Sequence, residues 1–443
     1  GADSTGIRGV FQDAAERARA LGDADLFADA ALAFAGGGPL RRGALTEMGV
    51  VDATEVSLLG SAVEALGEED SVKKGLVLSW LARSLYHSSE ADRRMRTADE
   101  AVDMARRMNS DALLGDTLFL RQQVLRTPHV LDRRIADLTE IVGIAERTSA
   151  RELELDARYE RAWAFTHAAR IAEADADIRR VEHIANELRQ PRYRRPLEAW
   201  NLVHAYVREN VDDALARDFE RLSPHRNERT NQALGLRLMM ARFIQDRGAE
   251  TLPLSEQYVE NFPLAVSWHC GLCSTYGAVG KMAECRRLFE ERAVTGFAGI
   301  PMTHDWLSCH MLLANACRLL RDTERAPVLR DVLLPFEGNV WVMGLGTFVC
   351  GAVASSIAGL HTLLRDFAAA ERSCEQAIDL ARRLRSPSLV AMGKVGLAEM
   401  LSQRRTGSDI ASARALIAES RPDIVRNGFA NLGRLADEIE RTL

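Results

Sequence analysis

The residues of this chain best suited to chemistry cluster between Trp268 and Trp341. Trp268-His269-Cys270-Gly271-Leu272-Cys273 sets a C-x-x-C beside an imidazole, the opening half of a zinc site built from thiolate and nitrogen ligands. A structural zinc needs a second ligand pair. The nearest candidates, Cys285, His304, Cys309 and His310, offer neither a second C-x-x-C nor a clean histidine pair. A redox dithiol calls for a βαβ setting that this stretch lacks. Cys270 and Cys273 therefore read as small apolar residues on a helix, and the chain is expected to need no metal and no cofactor.

Ligand or partner binding is the chemistry that remains for this region. Trp268, His269, Tyr276, His304, Trp306, His310 and Trp341 bring three of the six tryptophans and three of the ten histidines together, beside the uncharged, glycine-rich run from Gly338 to Gly351. Aromatic and imidazole groups on one face can stack on a ligand and hydrogen-bond to it. The bland alternative is that the tryptophans fill gaps between helices and the histidines are satisfied structurally. A second group, Arg189, Arg192, Arg194 and Arg195 around Pro191 and Tyr193, could grip phosphate or carboxylate with paired hydrogen bonds, or be a solvated connector.

Catalytic motifs are missing where they would be looked for. Gly280-Lys281 is followed by Met282 and Gly393-Lys394 by Val395, so neither supplies the hydroxyl of a phosphate-binding loop, and Thr275 and Ser388 stand at the leading-glycine positions. No G-x-S-x-G or H-E-x-x-H run fixes the geometry of the scattered Ser, His and Asp residues. The chain is expected not to be an enzyme.

The elements that must position these groups are helices. Val353, Ile357, Leu360 and Leu364 form one apolar stripe, a turn follows at Arg365-Asp366, and Cys374, Ala377, Ile378, Ala381 and Leu384 form a second stripe closed by Pro387. Small residues at Ala358, Gly359, Ala369, Ala370, Ala377 and Ala381 let two helix backbones approach, as a tetratricopeptide-like hairpin requires. The turn recurs near Ser88, Pro128, Arg170, Asn210, Gly248, Gly280, Asp322, Asp366 and Gly407, at intervals of roughly 40 residues, longer than the roughly 34 of a strict tetratricopeptide repeat. The fold class expected is all-α, a tetratricopeptide-like α-solenoid of about nine hairpins in a superhelix, its first helices lining a concave face. Residues 1–443 are read as one elongated solenoid with capping helices at 1–40 and 408–443.

Composition agrees. The 443 residues are 47% hydrophobic with 12 prolines, more than one globular core accommodates but suited to a core that extends lengthwise. A formal charge of −6 argues against a nucleic-acid partner for the whole surface. Seven cysteines, an odd number without a secretory leader, fit free thiols in a cytoplasmic protein. The uncharged run from Gly338 to Leu364 is long enough to span a bilayer, but Asn339, His361 and its glycines and hydroxyls make burial among repeats the better reading, so no membrane partner is expected.

Glu187 to Pro191 with Tyr193, then Gly296-Phe297, Pro301, Trp306-Leu307, Cys317, Asp322, Ala326, Leu333 to Pro335, Gly338, Val340 and Gly351 resemble landmarks of one family. The chain from about residue 10 to about residue 400 is similar to the tetratricopeptide-like C-terminal region of large actinobacterial signalling ATPases, including LuxR-type transcriptional regulators and proteins with adenylate-cyclase-like heads. The resemblance implies a non-catalytic sensor or regulatory arm of a signal-transduction protein. Its partner would be the nucleotide-binding domain of a longer chain or another protein, with a small-molecule effector in the concave face. The alternative is a free-standing adaptor that recruits a protein or peptide. An enzyme on a helical scaffold is the third class.

Overall fold

A computed structural model describes residues 4–36, 50–222 and 228–443 of the chain. Among them are 22 α-helices and a single two-stranded sheet, the all-α helical repeat expected. All nine predicted turns fall between consecutive helices. Of the expected N-terminal cap, residues 1–3 and 37–40 lie outside the described residues.

Contacts divide the chain into two compact units, residues 1–164 with 176–188, and residues 165–175 with 189–443. The helices of the first part of the chain are α1 (Ser4–Leu21), α2 (Ala24–Phe34), α3 (Ala53–Ala65), α4 (Val72–Ser84), α5 (Ala91–Arg107), α6 (Asp111–Val124), α7 (Leu131–Arg147), α8 (Arg151–His167) and α9 (Ile171–Leu188). From α1 to α7 each packs on its sequence neighbour, and α4 also packs on α2 and α6. Phe27, Phe34, Leu59, Trp80, Leu81, Leu85 and Leu120 fuse the opening repeats into one buried apolar cluster. Trp80 is thus core.

The second part continues with α10 (Arg195–Arg208), α11 (Val211–Leu222), α12 (Glu228–Ile244), α13 (Leu252–Asn261), α14 (Val266–Ala278), α15 (Met282–Ala293), α16 (Trp306–Leu319) and α17 (Ala326–Leu333). Strands β1 (Val340–Met343) and β2 (Phe348–Ala352) follow, then α18 (Val353–Leu363), α19 (Phe367–Arg383), α20 (Pro387–Arg404), α21 (Asp409–Asn427) and α22 (Ala430–Thr442).

One local grammar recurs at several helix junctions. A residue with positive φ stops a helix, and a Ser or Asp immediately after it caps the next. Arg365 (φ 62°) precedes Asp366, whose side chain accepts from the Ala369 amide; Arg385 (φ 54°) precedes Ser386, which does the same for Leu389 with Pro387 at the first helical position. Asn109 (φ 50°) and Ser110, capping Leu113, repeat it. The left-handed residue satisfies carbonyls of the finished helix, and the capping oxygen satisfies an amide of the new one.

The second unit closes on itself. Helix α20 packs on α10 and α22 on α12. Arg208 Nε donates to the Leu384 carbonyl at 3.1 Å, Asn210 Nδ2 to the Arg426 carbonyl at 3.0 Å, and Arg434 pairs with Asp246 at 2.8 Å.

The β-hairpin was not anticipated. Its strands pair antiparallel from Val340↔Ala352 to Met343↔Phe348, with a bulge opposite the Trp341–Val342 step. Gly344, Gly346 and Gly351 take positive φ (58°, 77° and 112°) to make the turn and the bulge. A lone hairpin is marginal in water; this one is held between helices, packing on α10, α16, α18 and α19. Phe348 lies 5.2 Å from the Tyr206 ring, and Arg237 Nε donates to the Thr347 carbonyl at 3.0 Å.

Candidate functional site

Of the seven expected binding residues, α16 brings two into contact, Trp306 and His310, and the hairpin ties a third, Trp341, to the same helix at Ser308. Trp306 and His310 stand one helical turn apart, their ring centroids separated by 4.0 Å. Because a carbonyl can only accept, the 2.8 Å contact between His310 Nδ1 and the Trp306 carbonyl places a proton on Nδ1. Trp341 reaches over from β1, its indole Nε1 donating to Ser308 Oγ at 3.0 Å. Phe336 closes the cluster edge-on to Trp306 at 5.5 Å. Trp306 and His310 are buried, while Trp341 is half-buried.

The other four sit apart from that contact set. Trp268 is buried on α14, its ring 4.7 Å from Tyr258. His269, next on α14, is half-buried, and burial, then nearby Arg292, holds it below the usual histidine range. Tyr276 donates to Glu256 at 2.7 Å; burial and that bond push its hydroxyl up to about 12. His304 lies 3.5 Å from the Asp305 carboxylate, whose other oxygen accepts from Ser267 Oγ at 2.8 Å. Serine, aspartate and histidine are therefore in contact in the wrong order. A hydrolytic triad places the imidazole between the other two so that it can take the serine proton; here the carboxylate is in the middle, and Ser267 bonds to it and not to an imidazole.

The cysteines pack as the sequence predicts. All seven are free. Cys273 Sγ lies 4.0 Å from Cys285 Sγ, and hydrogen bonding to that neighbour together with burial drives the Cys273 thiol far up. Cys309, bonded to Cys270, is likewise held as a thiol. Only thiolates attack or ligate. Among the described residues no group of three His, Cys, Asp or Glu side chains is placed to hold a metal ion. None of the helices is long and apolar enough to cross a membrane.

Arg189, Arg192, Arg194 and Arg195 are all exposed. Arg189 (φ 52°) ends α9, the Arg192 guanidinium lies over the Tyr193 ring at 4.6 Å, and Arg195 lends its carbonyl to Arg221.

Two features escaped the sequence reading although a signal existed. Val340-Trp341-Val342-Met343 and Phe348-Val349, β-branched and aromatic runs around Gly344-Leu345-Gly346, are a hairpin signature. The spacing W-x-x-x-H occurs at Trp163–His167, Trp200–His204 and Trp306–His310. At Trp200–His204 the ring contact (4.5 Å) and the Nδ1–carbonyl bond (2.8 Å) recur. His204 is buried, and burial, then Arg208, pushes it down to about 4.

No family model matches the chain, and no curated protein does. Solved structures that match include a chain of the APC/C hetero-tetramer Cut9–Hcn1, at 12% identity over 98% of this chain and 96% of that one with a TM-score of 0.34. Another is a circular tandem repeat protein with a novel repeat topology, at 16% identity over 99% and 97% with a TM-score of 0.18. Likenesses this distant carry no argument about function.

Proposed function

We propose that this chain is a non-catalytic interaction scaffold, a helical repeat that docks a protein partner or a small effector at the α16–hairpin cluster. The observation that carries the reading is Trp341: a half-buried indole on β1, held in place by its hydrogen bond to Ser308 on α16, offers a preorganised aromatic surface. Side chains with catalytic potential nearby are engaged in structural contacts: Ser267 bonds to Asp305 and not to an imidazole, and six of the seven cysteines are buried. The finer reading adopts the role of a sensor or regulatory arm in a signal-transducing ATPase or LuxR-type regulator, cytoplasmic, with the nucleotide-binding domain of that protein as partner; the resemblance in sequence supports it.

The test places a photo-crosslinking amino acid at Leu345, in the hairpin turn, in the native host, identifies the captured species, and measures its affinity for purified chain. The scaffold reading expects Trp341→Ala to weaken that complex at least tenfold with helicity intact. Equal affinities for Trp341→Ala, Trp306→Ala and the parent chain would move the site elsewhere.

A further inference from the structure

Inside the first unit, four side chains from α6, α7, α8 and the α6–α7 connection meet in a closed set of bonds. The Glu160 carboxylate accepts from Arg126 Nη2 on one oxygen and from Arg134 Nη2 on the other, both at 2.8 Å. Arg134 Nε donates to Gln122 Oε1 at 3.2 Å. Three donors are left over: Arg126 Nε, Arg126 Nη1 and Gln122 Nε2 are all buried without an acceptor. The arginine side chains are 5% and 6% exposed.

Charge and hydrogen bonding point the same way. Two guanidinium groups face one carboxylate, an excess of one positive charge in a site that water barely reaches. Arg94, a third buried guanidinium, is tied to the Tyr86 carbonyl at 2.5 Å beside them. Burial pushes Arg134 down to about 10 against the pull of Glu160, with Arg126 adding to the depression. Arginine does not give up its proton in proteins. A water molecule could satisfy the donors but not the charge, and an uncompensated buried charge is costly. An anion with several acceptor oxygens satisfies both.

We propose that the Gln122–Arg126–Arg134 cluster binds one small oxyanion, a phosphate or carboxylate group, and that this ion locks α6, α7 and α8 together. Arg126 lies in the connection between α6 and α7, where Thr127 and Pro128 are half-buried and His129 is exposed. That connection is the side from which the ion arrives. The site lies in the first unit and is independent of the aromatic cluster of the second.

Thermal unfolding of the full chain, titrated with inorganic phosphate and separately with acetate against chloride at equal ionic strength, tests this. A saturable rise in the unfolding midpoint is expected in at least one oxyanion and not in chloride. A response to phosphate assigns a phosphoryl source, and a response to acetate a carboxylate one. Arg126→Gln should weaken the apparent affinity at least tenfold. Gln122→Glu places the missing negative charge inside the cluster. It should raise the midpoint in chloride and remove the oxyanion response, giving a readout should Arg126→Gln fold poorly. The proposal is overturned if neither oxyanion exceeds chloride, if Arg126→Gln responds like the parent chain, or if Gln122→Glu lowers the midpoint.

Discussion

Tyr258 occupies the space that a side chain on Gly235 would need: an ideal Cβ built on that glycine would lie 2.4 Å from Tyr258 Oη and 2.7 Å from its Cε2. The tyrosine cannot simply swing away, because its hydroxyl donates to the Asn231 carbonyl at 3.0 Å and its ring packs on Trp268 at 4.7 Å. Gly235→Ala is therefore expected to cost about 1–3 kcal/mol despite the better helix propensity of alanine. Denaturant titration measures it, and an unchanged or raised midpoint would show that Tyr258 yields freely.

Asp218 and Arg237 form the buried joint under the hairpin tip. Arg237 Nη1 meets both Asp218 oxygens at 2.8 and 2.9 Å, Tyr206 donates to the same carboxylate at 3.2 Å, and Arg237 Nε holds the Thr347 carbonyl. Asp218→Ala leaves a buried guanidinium without its counter-charge, for a loss of about 3–5 kcal/mol. The double variant Asp218→Ala/Arg237→Met should recover a substantial part of that loss. A double-mutant cycle with zero coupling would contradict the arrangement.

His204 ties stability to pH. Its folded value of about 4 lies below the roughly 6.5 of an unfolded histidine, so the unfolded chain binds more protons between those limits. Stability present above pH ~6.5 is lost as pH falls toward ~4, by about 3 kcal/mol from this group. His204→Gln should flatten the stability profile over that window alone. Parallel profiles for parent and variant would contradict it.

Arg321 sits at φ 51° between α16 and the Asp322 turn. Glycine adopts that conformation without a Cβ penalty, so Arg321→Gly should raise stability by about 0.5 kcal/mol even though it loosens the unfolded chain. Arg321→Ala keeps the Cβ and should change little, which makes the pair of midpoints the measurement.

Helix positions were legible because their signals are local. The Arg365-Asp366 turn and Pro387 act through backbone geometry within a few residues: the turn falls between α18 and α19, and Pro387, read as closing a stripe, is the first residue of α20. Site contacts were legible only in part. Trp306 and His310 are four apart on one helix, so their contact follows from helical period, whereas Trp341 meets Ser308 through a hairpin hidden inside an uncharged run that resembled helix. The Arg126–Arg134–Glu160 cluster gave no warning at all. Its two arginines belong to the α6–α7 hairpin and its carboxylate to α8 of the next, and charged residues on helices read by default as solvated faces.

The seal of α20 and α22 against α10 and α12 changes how the second unit should come apart. In an open repeat array each module couples only to its neighbours, so terminal modules fray first and independently. Joining last to first imposes a periodic boundary: no module is terminal, and opening any one of them breaks two interfaces. Amide-exchange protection near the C-terminus, at Leu432 and Ala436, is then set by the same opening event that exposes Val203 and Tyr206, more than two hundred residues earlier in the chain.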